Sequence, residues 1–337
     1  MAPPAYDAYV GYFPIEGNHV AAYDLITGTQ RWLVSGRSQS QSATGSDLLF
    51  LDQTDALVAL RVSDGSVAWQ LPLSAALIVP LVWSNGWLVA TTGTAMHAFR
   101  PADGHLLWSR DVPSPARAAP ELASDRIYLP VEDGRVMAYR LNDGERVWER
   151  RLGGPANAIR ASDDRLFVGS NDNFLYCLNA SDGQVVWRSR TGADVVSPPV
   201  VDDHRVYFVS LDNVLRGLNR TNGVQQWKRV LPFRPAWGPI KAADTLIVTG
   251  AAGPLRAFYM KDGMPAGEVD AASGAEMAAQ PYAFRSPVSV GPTIVAVTRH
   301  LASGATVIAA SRSVEPPFLP SLQALPGLVP VTAASPP

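Results

Sequence analysis

The 337-residue chain has one cysteine, few charged residues and no long apolar run, and each shortage excludes a class of protein. Cys177 alone cannot form an intramolecular disulfide, so the fold does not depend on a disulfide framework. Charged residues make up only 17% of the chain and the net charge is −2, which argues against nucleic acid or an anionic membrane surface as the main partner. No apolar run reaches the roughly 18 residues that a membrane-spanning helix needs.

Motifs of catalysis and metal binding are also missing from the sequence. There is no Gly-x-Ser-x-Gly, His-Glu-x-x-His, Cys-x-x-Cys or phosphate-binding loop. The five histidines are scattered, and we expect them at turns, strand ends or loops: His19, His97, His105, His204 and His300. We therefore assign no catalytic, cofactor-binding or metal-binding residue and expect no cofactor.

What the sequence does contain is a repeat with a period near forty residues. A short apolar segment leads into a turn that ends in glycine, and a tryptophan follows four residues later. The turn glycines are Gly28, Gly65, Gly104, Gly144, Gly183, Gly223 and Gly263. The tryptophans are Trp32, Trp69, Trp108, Trp148, Trp187 and Trp227, and Gly267 takes the seventh position. Subtracting consecutive glycine numbers gives spacings of 37 to 40, so the chain is an array of similar supersecondary units.

Each repeat predicts four antiparallel strands, here named a to d. In the unit from Ser197 to Trp227, three β-prone runs are separated by the turn formers Asp-Asp-His and Leu-Asp-Asn. A fourth run, which contains Trp227, follows Asn222-Gly223 and alternates apolar and polar residues. Asn-Gly and Asp-Gly supply the positive φ of a two-residue hairpin loop, which is the c–d turn we expect here. No segment has apolar residues at helical spacing for long enough to predict a helix.

One such sheet is too small to be stable alone, and stacking the sheets around an axis to bury their faces predicts a β-propeller. We expect the six tryptophans to be structural and to fill the gaps between blades. First-strand signals occur eight times, near residues 3, 43, 80, 120, 158, 198, 239 and 287. The prediction is therefore an all-β, eight-bladed propeller with a degenerate last blade, and seven blades is the alternative. We expect one domain over 1–313 and a Pro/Ala-rich segment over 314–337, partly disordered or forming a last outer strand.

The repeat resembles the pyrroloquinoline-quinone-type propeller repeat over almost the whole chain, as in AYDLITGTQRW, CLNASDGQVVW and GLNRTNGVQQW. Two branches of that family differ in function. The resemblance to quinoprotein dehydrogenases implies a quinone and Ca²⁺ in the central funnel. The resemblance to BamB-like outer-membrane assembly lipoproteins implies a non-catalytic scaffold of about this size.

The sequence fits the dehydrogenase branch poorly. Many such enzymes stack a vicinal disulfide on the quinone, which one cysteine cannot provide. Ca²⁺ needs several converging oxygen ligands, whereas the acidic residues here mostly precede turn glycines: Asp64, Asp103, Asp143 and Asp182. A quinone-dependent or other small-molecule enzyme, or a module that binds a sugar or a peptide, stays as the alternative.

A partner is expected at the segments that join strand d of one blade to strand a of the next, the d–a crossings. These vary in length and composition on a constant scaffold, and binding usually lies in such loops. The crossings and the insertion between Gly267 and Pro287 supply the candidates, which are Arg117, Asn157, Arg160, Asp194, Arg234, Trp237, Tyr282, Phe284 and Arg285. Trp237 lies outside the repeat pattern, and tryptophan and arginine dominate interface hot spots. The alternative is that the arginines only solvate the rim or pair with carboxylates.

The sequence thus favours a non-catalytic protein-interaction scaffold that acts as a monomer and has no nucleic-acid partner and no transmembrane segment. The resemblance implies a periplasmic or outer-membrane-associated protein whose partner is an outer-membrane β-barrel assembly component. Because the first strand signal follows Met1-Ala2 directly, we also expect that a leader and a linker precede this chain in the natural protein.

Overall fold

The computed structural model describes residues 5–7, 10–15, 18–25, 27–36, 43–53, 56–250, 254–269, 282–290, 293–300, 304–312, 322–324 and 331–332, the last five ranges as backbone only. These residues form 33 strands and no helix. By their contacts the chain divides into two compact units, and each is described separately. Unit 1 is Met1–Asp24 with Gln30–Arg190, and unit 2 is Leu25–Thr29 with Thr191–Pro337.

Unit 1 contains five antiparallel sheets in chain order, each a four-stranded meander. Sheet 1 is β1 (Ala5–Asp7), β2 (Val10–Ile15), β3 (His19–Asp24) and β4 (Gln30–Ser35). Sheet 2 is β5 (Ala43–Gly45), β6 (Leu48–Asp52), β7 (Ala56–Arg61) and β8 (Val67–Pro72). Sheet 3 is β9 (Val82–Ser84), β10 (Trp87–Thr91), β11 (Ala95–Phe99) and β12 (Leu106–Asp111). Sheet 4 is β13 (Glu121–Ala123), β14 (Arg126–Pro130), β15 (Arg135–Arg140) and β16 (Arg146–Arg151), and sheet 5 is β17 (Ala156–Ser162), β18 (Arg165–Ser170), β19 (Phe174–Asn179) and β20 (Val185–Arg190).

Unit 2 contains two further four-stranded meanders and a five-stranded sheet. Sheet 6 is β21 (Val200–Val201), β22 (Arg205–Ser210), β23 (Val214–Asn219) and β24 (Gln225–Val230). Sheet 7 is β25 (Pro235–Ala242), β26 (Thr245–Gly250), β27 (Leu255–Tyr259) and β28 (Pro265–Val269). Sheet 8 is β29 (Tyr282–Val290), β30 (Thr293–His300), β31 (Gly304–Arg312), β32 (Leu322–Ala324) and β33 (Val331–Thr332).

The predicted four-strand unit is therefore found seven times, which corresponds to the lower of the two predicted blade counts. The eighth unit also forms a sheet, but it has five strands because both β32 and β33 pair with β31. The strand number and pairing of this sheet therefore differ from those of the other seven, and the sequence had predicted a degenerate last repeat. The domain boundary at 313 stays a prediction, and β32 and β33 lie in the segment beyond it.

The core consists of apolar layers between consecutive sheets. One cluster joins sheets 3 and 4 and contains Val89, Trp108 and Tyr139; another joins sheets 6 and 7 around Tyr207 and Phe258. Strands b and c are the most buried, whereas the fourth strands alternate between exposed and inward-facing residues. Sheet 4, which has such a layer on either side, thus buries both faces, and a lone four-stranded meander cannot do this.

A tryptophan–glycine contact links consecutive sheets within each unit. The Trp108 indole in β12 donates a hydrogen bond of 2.9 Å from Nε1 to the carbonyl of Leu141, in the c–d turn of sheet 4. The same ring lies against Gly144 of that turn, where a Cβ would be 2.7 Å from Cε3 of Trp108. Equivalent pairs with a hydrogen bond to the same turn are Trp32–Gly65, Trp69–Gly104, Trp148–Gly183 and Trp227–Gly263.

An arginine two residues after the tryptophan reinforces this contact in two places. Arg150 donates from Nε to the carbonyl of Gly183 at 2.7 Å, and Arg229 donates to the carbonyl of Gly263 at 2.9 Å. In the Trp-x-Arg pattern, the arginine thus donates a hydrogen bond to a turn carbonyl of the next sheet, and its aliphatic part covers the contact between the two sheets.

The c–d turns differ from the predicted two-residue loops. Arg140 N–H donates to the carbonyl of Glu145 and Gly144 N–H donates to the carbonyl of Arg140, so four residues lie between the paired ends. Asp143 accepts a hydrogen bond from the Glu145 N–H at 3.0 Å, which confirms a structural role for the aspartate that precedes the glycine. Gly144 has φ +71°, as expected for glycine at this place.

The turn glycine must adopt a positive φ and must also leave room for the tryptophan ring. Both requirements can be tested with Gly144→Ala and a matched control, Gly86→Ala. Both positions have positive φ, but a Cβ on Gly86 would meet nothing within 4 Å. Each change should cost about 1 kcal/mol of unfolding free energy through backbone strain. Gly144→Ala should cost roughly 1–3 kcal/mol more, because the Cβ must displace Trp108.

Urea unfolding followed by circular dichroism measures both variants. Equal losses of stability would mean that the tryptophan moves away without cost and that the contact between sheets is not tight.

Candidate partner-binding surface

The crossings and the b–c turns lie at the same end of the sheets. In sheet 4, Arg117 N–H donates to the carbonyl of Pro130 at 2.9 Å, and Glu132 N–H donates to the carbonyl of Pro115 at 2.9 Å. In unit 2, Leu211 N–H donates to the carbonyl of Asp194 at 2.9 Å. We call this the crossing end of a sheet; the opposite end, with the c–d turns, is the turn end.

A chain of polar side chains runs along the crossing end of sheets 4 and 5. Arg117 forms an exposed ion pair with Glu132 at 3.2 Å and also donates to Oδ1 of Asn157 at 3.5 Å. Asn157 donates in turn to Oδ1 of Asn171 in the b–c turn of sheet 5. The structure therefore brings together two of the predicted residues, Arg117 and Asn157. The sequence analysis missed Glu132 and Asn171, although both lie in the b–c turns, which face the same way as the crossings.

The sequence analysis placed Arg160 in a crossing. The structure instead places it inside β17, the first strand of sheet 5. The strand starts at Ala156 and includes a register shift between Ala156 and Ala158, so it is longer than the sequence pattern indicated. Arg160 lies 3.5 Å from the carboxylate of Glu121 in β13, and Glu121 also accepts the backbone N–H of Ala161 at 3.1 Å. Burial raises the pKa of Glu121, and the nearby Arg160 opposes that rise. This pair ties two neighbouring first strands together.

In unit 2 the crossing end of sheet 6 is organised around Asp212, which the sequence analysis did not select. Asp212 pairs with Arg216 at 2.5 Å and accepts hydrogen bonds from the hydroxyl of Ser210 and the N–H of Gly192. Burial opposes ionisation of Asp212, but these hydrogen bonds outweigh it and lower its pKa to about 2. The carboxylate fastens the crossing to the b–c turn, and Asp194 lies in that same crossing.

Trp237 and Arg234 are both exposed at the crossing end of sheet 7. Trp237 lies in β25 opposite Thr249, with a register shift on either side of it, and 43% of its surface is exposed. It is therefore not packed in the core. Arg234 directly precedes the strand and has no hydrogen bond or ion pair among the described residues.

Tyr282, Phe284 and Arg285 are not in a loop, because β29 begins at Tyr282, before the predicted start near Pro287. Their backbone pairs with His300, Thr298 and Val297 of β30. Proline at 287 marked the strand in the sequence, but the strand continues on its N-terminal side past a register shift between Arg285 and Val288. Since β29 lies beside β25, this strand end and Trp237 belong to neighbouring first strands.

Within the described ranges, no three His, Cys, Asp or Glu residues are grouped so that they could hold a metal ion. His97 lies inside β11 and not at a turn, and burial lowers its pKa. No helix long and apolar enough to cross a membrane occurs in the part of the chain that the structure describes.

The match to a known family decides how the chain is classified. The model of the family described as outer membrane protein assembly factor BamB matches residues 3–79, 77–163 and 152–315. The chain belongs to this family. The resemblance seen in the repeat is thereby confirmed.

Two curated proteins with the BamB name are similar to the chain over long stretches. The outer membrane protein assembly factor BamB of Yersinia pestis is 26% identical over 275 residues, which are 72% of this chain and 70% of that protein. The BamB of Moranella endobia is 22% identical over 239 residues, 66% of this chain and 62% of that protein.

Solved structures show the same fold. BamB from Moraxella catarrhalis has a TM-score of 0.75 at 15% identity and covers 94% of this chain and 96% of its own. The C-terminal WD40 domain of Sif2 has a TM-score of 0.75 at 11% identity and covers 92% and 95%. WD40 domains are β-propellers, so the predicted propeller of four-stranded antiparallel blades is confirmed.

The Asp212 network predicts a specific loss of stability in acid. The pKa of Asp212 is lower in the folded than in the unfolded chain, so its contribution is present above about pH 4 and is lost as the pH falls toward 2. At pH 7, Asp212→Asn should reduce the unfolding free energy by about 2 kcal/mol or more, because it also leaves Arg216 buried without its partner. The difference from the unmodified protein should shrink as the pH approaches 2.

Urea unfolding at several pH values measures this difference. Asp203→Asn is the control, since it removes an exposed carboxylate of the same sheet. A constant gap between Asp212→Asn and the unmodified protein from pH 7 to pH 2.5 would contradict the assignment.

Proposed function

We propose that this protein is a non-catalytic scaffold of outer membrane protein assembly that binds another protein through the crossing ends of its sheets. The observation that carries the proposal is the match of the BamB family model from residue 3 to residue 315. Two similar curated proteins are named outer membrane protein assembly factors, which supports the same role here. The protein then acts at the periplasmic side of the outer membrane, and its partner is a component of the assembly machinery.

The crossing ends are better suited to binding than the turn ends. At the turn ends the same Asp-Gly turn recurs, and its glycine is covered by the tryptophan of the preceding sheet. The crossing ends differ from sheet to sheet and expose charged and aromatic side chains such as Arg117, Arg234 and Trp237. Variable loops on a constant scaffold are where binding residues concentrate.

Arg117 is available to a partner although it already has one. Its ion pair with Glu132 is exposed on both sides, and exposed pairs contribute only about 0–1 kcal/mol. A partner carboxylate can therefore replace Glu132 at small cost. Arg160 differs, because Glu121 is largely buried and would lose its counter-charge. Of the two arginines, Arg117 is the better contact residue.

Charge reversal at the crossing ends tests the scaffold role. The double variant Arg117→Glu with Asp194→Arg should lower the affinity for an outer-membrane assembly component roughly tenfold or more. The melting temperature should change little, because neither side chain is buried. Affinity is measured by surface plasmon resonance with the component captured from the native membrane and then purified.

The matched control is His105→Ala at the turn end, an exposed residue that should change neither affinity nor stability. The proposal would be wrong if the unmodified protein binds no assembly component, or if the control weakens binding as much as the double variant.

The non-catalytic part of the proposal predicts no quinone-dependent turnover. Adding pyrroloquinoline quinone and Ca²⁺ and then alcohols or aldoses should produce no reduction of an electron-accepting dye above the protein-free rate. Turnover that a chelator abolishes would instead favour a dehydrogenase.

A further inference from the structure

An exposed apolar ridge lies at the crossing end of sheets 6 and 7. It is formed by Val230, Phe233 and Trp237, and we call it the Trp237 ridge. Val230 is 71% exposed and Trp237 is 43% exposed, whereas Phe233 is partly buried against the layer between the two sheets. Isolated exposed apolar residues are common, but here three lie within eight residues of one crossing, two of them exposed.

The backbone of the ridge is rigid and holds Trp237 outward. The segment contains Pro232, Pro235 and Pro239, each of which fixes φ. β25 shifts register on both sides of Trp237, and such bulges redirect a side chain. Gly238 has φ +103°, and a Cβ there would lie 2.7 Å from the carbonyl oxygen of Ile247, so the bend requires glycine. A side chain held in this way loses little conformational entropy when it binds.

Among the described residues, the charges that remain free around the ridge are positive. Arg234 is exposed and has no partner among the described residues, and Lys228 lies two residues before Val230, on the same side of β24. Arg256 lies over the ring of Phe233, 5.1 Å from its centroid, and pairs with Glu268.

The nearby acidic residues that the structure describes do not offset this positive charge. Asp212 is neutralised by Arg216. The b–c turn of sheet 6 separates Asp194 from the ridge, since its Leu211 bonds to Asp194 and its Asn213 to Leu231.

We infer that the Trp237 ridge binds an extended acidic and apolar segment of the partner protein. Apolar side chains of that segment pack on Trp237 and Val230, and a carboxylate pairs with Arg234. The charge complementarity selects an acidic segment over a basic one. β29, which begins at Tyr282, lies beside β25.

This inference rests on the proposed function, because it names the chemistry of the partner segment at one part of the binding surface. Buried aromatic anchors carry most of the energy of an interface, while exposed ion pairs contribute less and weaken with salt. Loss of Trp237 should therefore weaken binding more than loss of the Arg234 charge.

Site-specific photo-crosslinking in cells that make the full-length protein tests the inference. The photoreactive residue p-benzoylphenylalanine replaces Trp237 in one strain, Arg117 in a second and exposed Val67, on the fourth strand of sheet 2, in a third. Crosslinked peptides are identified by mass spectrometry. Position 237 should crosslink to a segment of an assembly component that contains both apolar and acidic residues, and position 67 should give no crosslink to that component.

The mapped segment is then synthesised, and its affinity is measured by isothermal titration calorimetry. Trp237→Ala should weaken binding roughly 10- to 30-fold, and Arg234→Gln by roughly 3-fold with a smaller dependence on salt. Val67→Ala should leave the affinity unchanged. Unchanged melting temperatures separate these effects from unfolding.

The outcomes distinguish the two proposals. If position 117 crosslinks to an assembly component while position 237 crosslinks to nothing, to a basic segment or to a second copy of this chain, the inference is wrong and the scaffold role stands. If neither position crosslinks to an assembly component, the proposed function fails and the inference with it.

Discussion

The structure depends on the contact between a tryptophan of one sheet and the turn glycine of the next. A four-stranded meander has two apolar faces and cannot be stable alone. The indole covers the turn of the neighbouring sheet, and its N–H donates to a backbone carbonyl of that turn, as between Trp148 and Ala180. One side chain thus supplies both burial and a directional bond, and it positions consecutive sheets in the five pairs where it is seen.

This contact leaves the two ends of the sheets under different constraints. At the turn end the glycine must leave room for the incoming tryptophan, and the aspartate before it holds the turn through a backbone N–H two residues on. At the crossing end the chain needs only backbone hydrogen bonds between crossing and b–c turn, and many sequences provide those. Functional residues can accumulate there without disturbing the packing. Sheet 7 departs from the pattern, since Gly267 pairs with Ala257 where sheets 1 to 6 have tryptophan.

The charged residues at the crossing ends fall into two groups, which differ in how far their side chains are buried. Asp212 and Glu121 are largely buried and hold backbone N–H groups of neighbouring segments, so their task is structural. Arg117 and Arg234 are exposed, one in a weak ion pair and the other without a partner among the described residues. Exposed charges keep their water until a partner displaces it, and they contribute to selectivity and encounter more than to stability.

The sequence by itself determined the repeat, the strand order within each repeat, the positive φ of the turn glycines and the apolar role of the tryptophans. All of these are local properties: periodicity and turn chemistry act within a few residues of one another. The resemblance carried by the repeat also sufficed to indicate the family, while the side chains that meet across repeats did not follow from it.

Only the tertiary structure decided which side chains contact one another across repeats. It paired Trp108 with Gly144, placed Arg160 in a strand beside Glu121, extended β29 back to Tyr282 and fastened Asp212 to Gly192. The physical reason is that such contacts join residues from different repeats and depend on how far each strand continues before a bulge ends the pairing. Neither the register of a bulged strand nor the identity of a buried partner leaves a periodic trace in the sequence.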